Sequence, residues 1–223
     1  MVRRVALAVA VLGLWGLGPV GPARGGQAPA LTVELDTSEV PDLRAWGEKA
    51  RDLMVEWYPR FVNLIPTQGF TPPTKAALVL RKSDKGIGGT SGGRIEVSSH
   101  WIEKHPEDIG LVVHELVHVI QSYPSANPGW VTEGVADYLR WAIYEAKPLA
   151  WFHVPQEAKG YRRSYQVAAG FLLWLESGPA PGIVNKLNTA MRKRAYTDDL
   201  FKKESGRSLD ELWEDYRVAR KPK

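Results

Sequence analysis

The pentapeptide His114-Glu115-Leu116-Val117-His118, set within the apolar stretch Leu111 to Ile120, constrains this chain more than any other feature. Four positions along a helix are about one turn, so both imidazoles leave the same face. At about 100° per residue, Gln121 joins that face, while Ile109, Val112, Leu116 and Val119 fall opposite. The spacing therefore predicts a helix packed on its back, with ionisable and ligating groups on its front.

Two imidazoles so placed reach one tetrahedral ion. A catalytic zinc takes three protein ligands and keeps a position for water, so a third ligand is expected close by. It is found in Trp130-Val131-Thr132-Glu133-Gly134-Val135-Ala136-Asp137-Tyr138, where two carboxylates again stand four apart. If this second helix returns antiparallel across the turn Tyr123 to Gly129, Glu133 completes the ligand set. Asp137 then accepts a hydrogen bond from an imidazole, that of His114, and fixes its tautomer. Gln121 is the matching outer partner on the histidine face. Glu115 becomes the general base beside one bound zinc. Histidines that merely decorate a core helix would not need the carboxylate between them.

The rest of the chain divides in two. Leu31 to Leu35 and Lys75 to Arg81 are predicted strands, separated by a helix from Pro41 to Leu64 whose proline fits the first turn. Ser83 to Gly93 holds five glycines. It lacks the Gly-Lys-Ser/Thr ending and spacing of a nucleotide loop, so a hairpin or a lip above a cleft is expected. Gly93 to Ser99 alternates as a strand. Helices are predicted for Pro106 to Ser122, Trp130 to Tyr144, Ser164 to Glu176, Gly182 to Arg194 and Leu209 to Ala219. Strands first and helices afterwards give an α+β class, with a sheet-bearing part over 31–105 and a helical part over 106–219.

Met1 to Gly26 has the form of a signal peptide, with Arg3 and Arg4 ahead of the apolar run Val5 to Leu17, which is short for a membrane anchor. The expected mature start is Gln27 or Leu31, leaving 27–223 as a single domain. This places the protein outside the cytoplasm, with no stable membrane association after cleavage. The full chain carries 29 basic and 25 acidic residues. Removing Arg3, Arg4 and Arg24 leaves 26 against 25, which excludes an electrostatic case for nucleic acid. Without cysteine there is neither a disulfide framework nor a lipidated cysteine. A monomer stabilised by packing is expected.

His114 to His118, followed by Glu133 to Tyr138, resembles the basic secretory protein family, a group of zinc peptidases of plants, fungi and bacteria. The likeness extends through Gly160 to Leu175 and through Ser208 to Tyr216. The near-neutral charge departs from the family's basic character. The resemblance implies a zincin-like domain similar to the thermolysin-like gluzincins, cleaving peptides or proteins. It also implies a donor for the oxyanion, for which Tyr165 is the first candidate and Tyr161 and His153 are rivals. Zincins commonly bind substrate along an edge strand, and Gly93 to Ser99 is the expected one. His100 and His105 read as surface or capping residues. Two other functions fit the same ligand set: a zinc-binding secreted protein without turnover, and a zinc amidohydrolase acting on a cell-wall linkage.

Overall fold

The computed structural model describes residues 30–221. The expected signal peptide lies outside them. Four strands, β1 (Thr32–Asp36), β2 (Lys75–Arg81), β3 (Gly88–Ser91) and β4 (Arg94–Ser98), form one mixed sheet in the order β1-β2-β4-β3. β1, β2 and β4 are parallel, and β3 is antiparallel to β4. Parallel neighbours need a crossover. Helix α1 (Arg44–Leu64) supplies it between β1 and β2, burying Ala50, Met54, Tyr58 and Phe61 at helical spacing. Alternation does the same for the sheet. Ala76, Leu78 and Leu80 of β2, with Ile95 and Val97 of β4, face the core.

One expectation about the sheet holds, the hairpin in the glycine-rich segment, and one changes, the edge strand. The glycine-rich segment contains β3, closed onto β4 by Gly92 and Gly93, whose φ of +56° and +81° suit a two-residue hairpin turn. Because β3 pairs with the outer side of β4, the strand expected at the edge is internal. β3 is the free edge on that side.

The helical part comprises α2 (Ser99–Lys104), α3 (Gly110–Gln121), α4 (Gly129–Asp137), α5 (Tyr165–Glu176), α6 (Ile183–Arg192), α7 (Asp199–Ser205) and α8 (Leu209–Ala219). α8 begins as its sequence dictates, with Ser208 and Glu211 forming a reciprocal capping box. α2 and α7 go beyond the expected set. The predicted helix Pro106 to Ser122 starts at Gly110, and the one over Trp130 to Tyr144 is α-helical only to Asp137. From Tyr138 to Tyr144 the turns widen to π-helix. The architecture is α+β, and a continuous cluster of buried side chains joins the inner sheet face to α1, α3, α4, α5, α6 and α8. Among the described residues, no helix is long and apolar enough to cross a membrane.

Candidate active site

α3 is the central strut. Val112 and Leu116 are fully buried and Val119 nearly so, which anchors the back of the helix as its pattern required. Its C-terminus is held by Arg192 of α6, whose guanidinium donates to the carbonyls of Ile120 (2.7 Å) and Gln121 (3.1 Å). A cation there satisfies carbonyls that have no partner within the helix and complements its dipole. Burial depresses the Arg192 pKa to about 10. α4 packs on α5 through Gly134, where an added Cβ would lie 2.7 Å from that of Ala168. That close approach seats α4 against α5 while its acidic face meets α3.

The two helices run antiparallel. His114 contacts Asp137, His118 contacts Glu133, and the Gln121 side chain bonds the Thr132 carbonyl at 3.0 Å. His114 Nε2 and His118 Nε2 stand 3.0 Å apart, and Glu133 Oε2 lies 3.2 Å from the first and 3.4 Å from the second. The other ring nitrogens face outward. Nδ1 of His114 donates to Asp137 Oδ1 at 2.6 Å, and Nδ1 of His118 to Gln121 Oε1 at 2.8 Å. Each imidazole is thereby oriented so that Nε2 faces its neighbour and Glu133.

This triangle can be tested as a metal site. Ligand atoms about 2.1 Å from a tetrahedral ion sit about 3.4 Å from one another. The observed separations run from 3.0 Å up to that value, and the two nitrogens and one carboxylate oxygen form a group able to hold a metal ion. Two imidazoles and one carboxylate suit first-row divalent ions, zinc among them. The electrostatics agree with a crowded site. Burial alone would lower the His114 pKa, but its bonds to Asp137 and Glu133 raise it to about 9. Burial would raise that of Glu133, but the two imidazoles hold it at about 2.

The cluster lies in a cleft of about 1160 Å³ that follows α3 from Leu111 to Ser122. β3 forms one wall and the first turn of α5 the other. Glu115 also lines the cleft, only 5% exposed, and accepts a hydrogen bond from Thr90 of β3. Tyr165 stands on the rim at 56% exposure, its ring stacked over His114 at 6.2 Å. The nearby Glu133 carboxylate, followed by burial and by Asp137 and Glu115, raises its pKa. Ser164 and Tyr165 both have positive φ, +62° and +49°, a backbone conformation that costs L-residues energy and gathers at functional sites.

The histidine and acidic residues singled out in the sequence thus meet in one place, and the rivals do not. Tyr161 is buried, its hydroxyl donating to Asp210 (2.9 Å). His153 is exposed and outside the cleft lining. His105 packs on Trp101 at 4.1 Å, and neither it nor His100 joins the metal-ligating group. The residue that sequence reasoning missed is Thr90. Its only signal was the Gly92-Gly93 pair, which marks a hairpin and so makes the preceding residues a strand.

A family model described as peptidase of plants and bacteria matches residues 49–216, a span that runs from α1 to α8 and takes in every residue of the cluster. No curated protein and no solved structure matches the chain. On that match the chain belongs to the basic secretory protein family of peptidases.

Proposed function

We propose that this chain is a zinc-dependent endopeptidase of zincin-like, gluzincin type, exported from the cytoplasm and acting as a monomer. The observation that carries the reading is the His114–His118–Glu133 triangle, dimensioned for one tetrahedral ion and braced from behind by Asp137 and Gln121. When bound, zinc supplies Lewis acidity for the scissile carbonyl and for a water that attacks it near neutral pH.

The remaining chemistry belongs to side chains. Glu115, on the same helix as both histidines, takes a proton from the attacking water and passes it to the leaving amine. A protein that only bound metal would have no need of a base in that place. Tyr165 donates from its phenol to the oxyanion. Its place on the cleft rim, with the ring over that of His114, supports that role. The free edge of β3 offers main-chain groups to an extended substrate. Because the cleft continues past the metal group toward both ends of α3, a chain can pass through it, which favours internal cleavage. Export rests on the Arg3 to Leu17 pattern.

The test is Glu115→Gln, which should keep about one zinc per chain and lose roughly 10²–10⁴ in kcat on a peptide library. Undiminished cleavage by the variant refutes the base assignment. A parent that binds zinc but leaves all peptides intact, yet opens cell-wall amides, moves the protein to the amidohydrolase reading.

A further inference from the structure

The glycine-rich hairpin presents one hydroxyl to the proposed base. Thr90 donates to Glu115 Oε2 at 2.7 Å, with the Glu115 carbonyl a second acceptor at 3.2 Å. Oε1 is left without a hydrogen bond to any described residue. Two residues earlier on the same strand, Gly88 lies beside it. A Cβ at Gly88 would stand 3.7 Å from Oε1, 3.6 Å from Leu111 Cδ1 and 3.0 Å from the Glu96 carbonyl. On that side Oε1 faces a residue without a side chain, with Leu111 next to it. Thr90 is itself held in place, paired with Ile95 of the internal strand β4 and close to the Gly92-Gly93 turn.

We propose that Thr90 is a positioning residue for Glu115. It fixes the carboxylate through Oε2, making Oε1 the oxygen that takes and returns the proton, and the absence of a side chain at Gly88 keeps space for the water beside Oε1. A glutamate side chain has several rotamers in reach, and one hydrogen bond to a charged oxygen is strong enough to select among them. This inference rests on Glu115 being the base.

The experiment is steady-state kinetics of the zinc-loaded full chain on a peptide that the parent cleaves. Thr90→Val keeps the shape and strand preference of the side chain without its hydroxyl. It should lower kcat roughly 10- to 100-fold while leaving KM within about twofold. Zinc content should not change. Thr90→Ser should recover kcat to within about threefold of the parent, and Thr90→Ala, which also lacks the hydroxyl, should show the loss predicted for valine and replaces it should valine fold poorly. In a Glu115→Asp background the shorter side chain has already lost the Thr90 bond, so Thr90→Val should cost less than about threefold there.

Parent-like kcat in Thr90→Val overturns the proposal. So does a serine variant as slow as valine, or an equal factor in both backgrounds. A fully active Glu115→Gln, by contrast, removes the base reading itself and the proposal with it.

Discussion

The floor and the rim of the cleft are held to very different degrees. On the floor, His114 and Asp137 are 7% and 4% exposed, and each ligand imidazole has a partner on both ring nitrogens. On the rim, Ile87 and Tyr165 are 46% and 56% exposed, and Tyr165 follows Ser164 in a strained backbone turn. A site for a metal ion demands fixed geometry whatever the substrate, and here two packed helices supply a group able to hold one. Groups proposed to meet a substrate must be reachable, and those named above sit on an edge strand and a helix start. Thr90 links the two regimes, since it lies on the edge strand but bonds a buried carboxylate.

The comparison breaks first at Glu133. Glu133→Ala leaves the two imidazoles facing each other with no anionic ligand, and both metal and activity should fall to background. Metal analysis after dialysis checks this. Zinc retained at one per chain would mean that the floor is not a three-ligand site.

On the rim the expected effect is smaller and of another kind. Tyr165→Phe should lower kcat by roughly 10²-fold, the scale of one lost oxyanion donor, without altering zinc content. An unchanged kcat would move oxyanion stabilisation elsewhere, and a lost metal would erase the distinction between floor and rim.

The braces behind the floor come next. Asp137→Asn should weaken zinc affinity by roughly 10- to 100-fold, measured by competition with a chelating dye. Gln121→Leu should cost less, because a neutral acceptor orients His118 where a carboxylate orients His114. Equal losses would show that charge behind the imidazole is immaterial.

How much of this could be read from residues alone follows from the same division. The floor depends on spacing within single helices. His114, His118, Glu133 and Asp137 each lie four residues from a partner, and one antiparallel packing of two helices brings them together. The rim depends on which strands pair, and pairing is decided by contacts distant in sequence. Gly93 to Ser99 was legible as a strand, but alternation along it carries no mark of being internal. β3 was harder still, because glycines show no alternation of side chains to detect. The short helix α2 and the π-helical turns after Asp137 escaped for a related reason. Six residues give too few turns for a period, and Arg140, which bonds Asp108 and Glu145 there, is tied by contacts outside its own segment.

The smallest expected effect separates the floor's own charges from its metal. In protein stripped with a chelator, His114 has a pKa of about 9 against an ordinary 6.5. A raised pKa stabilises the fold fully below 6.5, and that stabilisation fades as pH climbs through 9. Glu133, at about 2 against an ordinary 4.5, contributes fully above 4.5 and loses its effect as pH falls through 2. Together they are strongest between pH 4.5 and 6.5, with a contribution of a few kcal/mol at most. Zinc works the other way, since it needs the neutral imidazole and so binds more tightly as pH rises toward 9. Melting temperatures of the stripped and zinc-loaded forms should therefore diverge between pH 6.5 and 9, the first falling relative to the second. Parallel curves across that window would mean that His114 is not the group whose proton zinc displaces, and the bracing by Asp137 and Glu133 would lose its electrostatic meaning.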